Sequence, residues 1–338
     1  NQETDVKGEK GAYFVNYNKR LASNEIKEWT IVANVNQDQS DIVSLCEALK
    51  RPENLRVGLD NDVALGTKML IQLNASSDAQ QCTSDTLRDA RHFSNTLFNI
   101  MRGGIFDDNY TIERKDFAEY LRNANVMVFQ RQRDALYQLH QTFSLQELKD
   151  IVGATNDTDF ERLCIEYLPL KFSRRHGDPS RPWNIFSINT QSEVDGSKIL
   201  DYQGNWRDIF QNWEALAYAY PDFIDGMILK FFNASTFDGY NPYRVTKGGF
   251  DWEIIEPDDP WSYIGYWGDH QIIYSLKFLE FIQKHYPERL EKYFDSDIFV
   301  YANVPYKIKS YQELLIDPKD TIDFDLELDN TIRRDRRR

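Results

Sequence analysis

The sequence predicts a mainly α protein in which a short β-rich segment precedes a long helical body. Three observations predict it. The first 45 or so residues contain two runs, 12–17 and 29–35, with the β-branched and aromatic bias of extended chain. From Ser40 onward the apolar residues recur at helical spacing instead. Beyond Leu170, long polar loops rich in Pro, Gly and Trp alternate with amphipathic helices. A helical framework with aromatic and charged loops is how an α-helical barrel builds a site at one mouth.

The elements follow in order. Asp41-Ile-Val-Ser-Leu-Cys-Glu-Ala-Leu places apolar residues on one helical stripe behind a Ser/Asp start, which is an N-cap signature. Further helices are predicted over 84–101, 115–123, 128–140, 144–152 and 159–167, and then over 206–219, 221–233 and 270–285. No internal repeat and no low-complexity linker interrupts them.

Bulk properties narrow the function classes. With 338 residues the chain has ample material for a large domain or two smaller ones. Its formal charge of −14 argues against a nucleic-acid surface, because phosphate binding needs a basic stripe. The one dense basic run is Arg333, Arg334, Arg336, Arg337 and Arg338, which reads as a solvated end or the start of something cut off. No apolar run approaches the roughly 20 residues that span a bilayer, and the polar start Asn1-Gln-Glu-Thr-Asp is unlike a signal peptide. A soluble, cytoplasmic chain without membrane contact is the expectation. Cys46, Cys82 and Cys164 lack zinc-ligand spacing and read as free thiols in a reducing cytosol. The Asn-x-Ser/Thr triplets at Asn74, Asn109, Asn156 and Asn233 read as chance.

Six of the seven tryptophans (Trp183, Trp206, Trp213, Trp252, Trp261, Trp267) fall in one stretch studded with carboxylates, Arg, Asn and Gln. A pyranose offers apolar C–H faces that stack on indoles and a rim of hydroxyls that carboxylates, Arg and amides can bond. The mix therefore reads as a sugar-binding cleft, with core packing as the alternative for any single indole. Three constellations carry it. The loop Phe172-Ser-Arg-Arg-His-Gly-Asp-Pro-Ser-Arg-Pro-Trp183 holds Arg174, Arg175, His176, Asp178 and Arg181 on a backbone stiffened by two prolines. Its alternative is a surface ion-pair loop. On the helix that begins at Trp206, Arg207 and Gln211 are four residues apart, as are Asp208 and Asn212, so two polar pairs share one face. The third runs from Phe250 to Gln271 and sets Asp258, Asp259, Trp261, Trp267, Asp269 and His270 before an apolar-periodic helix. Asp269 stands where an N-cap belongs, and capping alone accounts for it equally well.

At these residues the chain resembles the inverting glycoside phosphorylases of the cellobiose and chitobiose phosphorylase family. Their Phe-Arg-Asp-x-x-Gln-Asp motif is matched by Trp206-Arg207-Asp208-Ile-Phe-Gln211-Asn212, with Trp for Phe and Asn for the last Asp. A later Asp-Asp before an apolar helix resembles Gly268-Asp269-His270-Gln271 or, less well, Asp258-Asp259. The resemblance spans 168 to about 305 and implies part of an (α/α)6 barrel, a six-hairpin fold. It divides the chain into the end of a β-sandwich-like region (1–45), a helical linker region (46–167) and a partial barrel with long loops (168–338). It further implies that Arg207 and Asp208 hold the non-reducing sugar. The family's general acid lies in a Trp-Asn-Asp segment, and the one Trp-Asn here, Trp183-Asn184, is followed by Ile185.

The implied function is part of a glycoside phosphorylase or hydrolase that takes an oligosaccharide such as a β-linked glucoside. Its reaction would be a single displacement by phosphate or water, with the acid supplied from elsewhere. No cofactor and no metal are implied, only inorganic phosphate as co-substrate. The partners implied are the oligosaccharide, the remainder of a longer polypeptide and a second copy in a homodimer. The alternative is a non-catalytic carbohydrate-binding or interaction module. A third reading makes every aromatic a core residue.

Overall fold

The computed structural model describes residues 16–33, 37–75, 79–171, 192, 194–195, 197–252, 271–317 and 320–335. The protein is mainly α, about 57% helical with small sheets. It divides into two compact units, Asn1–Ala64 and Leu65–Arg338, with the boundary inside one helix.

The first unit contains extended chain, α1 (Gln39–Leu49) and the first half of α2 (Pro52–Ala75). Asp38 rather than Ser40 caps α1, accepting from the Asp41 N–H while the Asp41 carboxylate accepts from the Asp38 N–H. The expected strand over 29–35 is not formed in its described part, and residues 16–33 hold no strand at all. Trp29, Ile31 and Val32 stand exposed instead. Strand preference is realised only against a pairing partner, and the described chain offers them none. The companion run 12–17 lies almost wholly outside the described residues.

The second unit continues α2 and adds α3 (Thr86–Gly103), β1 (Ile105–Phe106), β2 (Thr111–Glu113), α4 (Arg114–Ala124), α5 (Val126–Arg131), α6 (Arg133–Gln138), β3 (Thr142–Ser144), α7 (Leu145–Gly153), α8 (Thr158–Glu166) and β4 (Leu170–Lys171). It resumes with β5 (Gln203–Asn205), α9 (Trp206–Ala219), a 3-10 turn at Pro221–Phe223, α10 (Ile224–Asn233), β6 (Arg244–Thr246), β7 (Gly249–Asp251) and α11 (Gln271–His285). α12 (Pro287–Phe294), β8 (Tyr306–Ile308), α13 (Tyr311–Ile316), β9 (Ile322–Phe324) and α14 (Leu326–Asp335) complete it.

Residues 106–170 make a closed excursion. β1 pairs antiparallel with β4, Ile105 opposite Lys171 and Phe106 opposite Leu170, so the chain leaves and re-enters at one point. Inside that clasp β2 pairs with β3, and α4 to α8 wrap a core of Ile112, Phe117, Leu121, Val128, Phe143 and Phe160. Helix starts are chemically marked: Asn125 caps α5, Ser144 and Glu147 form a capping box on α7, and Asp157 caps α8.

The excursion is seated on the helices that follow it. Phe223 stacks on Phe106 at 4.1 Å and on Tyr110 at 5.5 Å, and the Tyr220 hydroxyl donates to Asn109 Oδ1 at 3.0 Å. Asp116 accepts from the Tyr167 hydroxyl at 2.7 Å and pairs with Lys247, whose ammonium also donates to the Leu200 carbonyl. Burial pushes the Asp107 carboxyl up, but Lys171 at 2.7 Å and Lys198, both bonded to it, prevail and hold it below the usual carboxylate range. α8 and α10 approach so closely that Gly226 leaves no room for a Cβ, which would meet the Ile165 carbonyl oxygen at 2.2 Å.

Candidate functional site

The described residues place part of the sequence-predicted site. Arg174, Arg175, His176, Asp178, Arg181 and Trp183 lie outside them, as do Asp258, Asp259, Trp261, Trp267, Asp269 and His270. Trp206, Arg207, Asp208 and Gln211 fall in the first two turns of α9, and Gln271 is the first residue of α11.

α9 and α11 run side by side in the same direction. Gln211 donates to the Tyr274 hydroxyl at 3.4 Å and Lys277 pairs with Glu214 at 3.3 Å, each pair 63 residues apart. Tyr218 meets Phe281 edge-on at 4.8 Å with the same spacing. A constant offset over two turns is the signature of parallel helices in register. Extended to the helix starts, it sets position 208 opposite 271. The starts of α9 and α11 therefore lie at one end of one helix pair. α10 runs back between them, since Phe231 near its end packs on Trp206 and Phe210 at 5.5 Å each.

The three-stranded sheet delivers the chain to that end. β5 pairs with β6 and β6 with β7, all antiparallel, and the row Asn205–Arg244–Asp251 lies directly before Trp206. The β6–β7 turn is Lys247-Gly248, and Gly249 holds φ 151°, a conformation that a side chain would strain. Arg244 donates through Nε to Asp251 Oδ2 at 2.7 Å, and its Nη2 shares the same oxygen. Sequence reasoning missed Arg244, although an Arg and an Asp seven residues apart around Gly-Gly are a legible hairpin pair. Beside the row, half-buried Trp252 stacks on Tyr306 at 5.6 Å with Tyr240 at 5.5 Å. The arrangement offers an aromatic wall, a fixed guanidinium–carboxylate pair and two helix N-termini whose dipoles add.

Two expectations need correction. Trp206, expected to line a cleft, is fully buried, with Phe210 and Phe250 stacked on it at 5.3 and 5.9 Å and Trp213 edge-on. An indole sealed this way has no face for a sugar, and it fixes the start of α9 instead. The polar face expected along α9 is also reduced: Asn212 is buried with Ile209, Phe210, Trp213, Leu216 and Ala217, because α9 is packed by α3, α11 and the sheet.

Beneath the sheet Lys230 is buried, its ammonium 5.7 Å from the Tyr120 ring centre and 5.9 Å from those of Tyr202 and Phe250. Burial raises the Tyr202 hydroxyl and Lys230 partly counters it. Among the described residues no group of three His, Cys, Asp or Glu side chains could hold a metal ion. No helix there is long and apolar enough to cross a membrane. Asn74 and Asn233, two of the chance triplets, are buried and hydrogen-bonded.

Residues 106–169 match the family model for insertion domain 1 of glycoside hydrolase family 149. The matched span begins and ends on the β1–β4 clasp, which is the geometry an inserted domain requires. The match supports a glycoside hydrolase- or phosphorylase-like protein and does not extend to the cellobiose and chitobiose phosphorylases in particular. No curated protein matches the chain.

Proposed function

We propose that the chain is part of a glycoside phosphorylase- or hydrolase-like enzyme that holds an oligosaccharide against the N-terminal ends of α9 and α11. The observation that supports it is the parallel register of α9 and α11 over 211–218 and 274–281, which extends to 208 opposite 271. Arg207 and Asp208 bond the hydroxyls of the non-reducing sugar, with Gln211 and Gln271 beside them. Arg244, Asp251 and Trp252 flank that end. The segments with Arg174 to Trp183 and with Asp258 to His270 complete the cleft, the second joining Trp252 to Gln271 in sequence. The reaction is a single displacement by phosphate or water on the anomeric carbon, with a carboxylic acid protonating the departing oxygen. The acid is assigned to no residue of this chain.

The parallel pair α9 and α11 with α10 returning between them supports one inner–outer–inner turn of an (α/α)6 barrel, in which the inserted domain rides on the outer side. A homodimer in the cytoplasm, with phosphate as the acceptor, fits the same reading. The test is to titrate β-linked gluco-oligosaccharides with and without phosphate against the wild type and Asp208→Ala. Phosphate-dependent release of sugar 1-phosphate, lost in the variant, supports phosphorolysis, and phosphate-independent release of reducing sugar supports hydrolysis. Binding without turnover makes the protein a carbohydrate-binding module. Absence of binding by every sugar sinks the proposal.

A further inference from the structure

The inserted domain has a pocket of its own. A cavity of about 660 Å³ opens between α4, the α5–α6 pair and the β2–β3 hairpin. Four cations line it, Arg114, Lys115, Arg122 and Arg133, in a chain whose formal charge is −14. Arg122 and Arg133 form no ion pair among the described residues, and Lys115 lies within electrostatic reach of Asp195 without a close pairing. Arg114 is fastened to backbone, Nη1 donating to the Leu139 carbonyl at 2.6 Å and the Tyr137 carbonyl at 3.4 Å, so its charge is fixed in place without being neutralised. Of the two acids on the wall, Glu113 is engaged by Lys198 and Glu119 stands exposed on α4. The pocket therefore presents a net positive potential to whatever enters it.

Its other features narrow the ligand. Tyr137 is 63% exposed and presents an aromatic wall, with the Arg133 guanidinium 5.4 Å from its ring centre. Gln141 and Thr142 add amide and hydroxyl groups at the hairpin rim. Cations suit a dianion better than a single carboxylate, the ring suits a pyranose face, and the polar rim suits hydroxyls. We propose that this pocket binds a phosphorylated sugar, at a place separate from the α9 and α11 ends. The proposal stands on the pocket alone and does not require the reading of those helix ends.

Calorimetric titration tests it, with glucose 6-phosphate, glucose and inorganic phosphate as probes on the wild type, Arg122→Glu, Arg133→Glu, Tyr137→Ala and Asp208→Ala. Arg122, Arg133 and Tyr137 are exposed, and matching thermal melts confirm that each variant is folded. Glucose 6-phosphate is expected to bind one to one with a Kd of order 0.1–1 mM, weakening with salt as an exposed charge pairing does. Each charge reversal weakens it about tenfold, consistent with loss of one charge-assisted contact. Tyr137→Ala also weakens it, inorganic phosphate binds less well, glucose does not bind, and Asp208→Ala binds as the wild type does. Absent binding overturns the proposal. So does binding that survives both reversals, since the seat is then elsewhere, or binding lost with Asp208→Ala, which would place the ligand at the α9 end. Equal affinity for inorganic phosphate overturns the sugar class, and an acidic peptide bound about a hundredfold tighter would make the pocket a protein-docking surface.

Discussion

Gly226→Ala isolates the contact that seats the inserted domain. In most helices this substitution stabilises by about 0.5–1 kcal/mol, because glycine loses more backbone freedom on folding. Here the new methyl would lie 2.2 Å from the Ile165 carbonyl oxygen, 3.2 Å from its carbon and 3.3 Å from Leu168 Cδ2. Ordinary contact requires α8 and α10 to part by about 1 Å, and overpacking of this kind costs about 1–3 kcal/mol. The obstacle is backbone, which cannot swing aside as a side-chain tip can, so the upper part of that range applies. The net loss of roughly 1–2 kcal/mol lowers Tm by about 2–8 °C in a body of this size. Gly66→Ala on α2 is the control, since nothing stands within 4 Å of its added methyl, and it should raise Tm slightly. Paired calorimetric melts give both values, and hydrogen exchange should show lost protection over 158–169 for Gly226→Ala alone. A Gly226→Ala protein as stable as the wild type, or as stable as Gly66→Ala, refutes the close approach of α8 to α10.

Two further predictions follow from packing and charge. Asp107 has a lowered pKa in the fold, so its contribution is complete above the unfolded carboxylate value near 3.9 and is lost as pH falls through the lower folded value. Urea melts of wild type and Asp107→Asn should differ by about 1–2 kcal/mol from pH 7 down to about 5, with the gap closing below about pH 4; a gap that widens in acid contradicts the pairing with Lys171 and Lys198. Trp206→Phe should lose about 1–3 kcal/mol of stability while oligosaccharide affinity stays within about twofold, since the ring is core. A large loss of affinity with unchanged stability would return Trp206 to the cleft.

Helices with their own signals were legible in the sequence. α9 was predicted residue for residue, and α3, α4, α7, α8 and α11 were placed to within a few residues. The predicted helix over 128–140 is instead two, α5 and α6, broken at Gln132. α2 was missed because its apolar residues, interrupted by Gly58, Asn61 and Gly66, follow no single stripe, and it lies largely exposed. α12 hid behind the proline at its first turn, where a proline is in fact tolerated. The strands were invisible because each is only two or three residues long and exists through distant pairing, as in β1 with β4.

The site residues are harder to read from sequence, for the same reason. A Trp-Arg-Asp string announces polar chemistry, yet sequence cannot say which of its side chains turns inward, and Trp206 turned inward. The parallel register of α9 with α11 is a tertiary fact that no local pattern carries.

The most direct test of the helix-end site is hydrogen exchange with and without a gluco-oligosaccharide at saturating concentration. The account predicts new protection at 205–211 and 271–274 together, with 106–170 unchanged. Protection confined to the inserted domain, or absent from both helix starts while the sugar is bound, contradicts it.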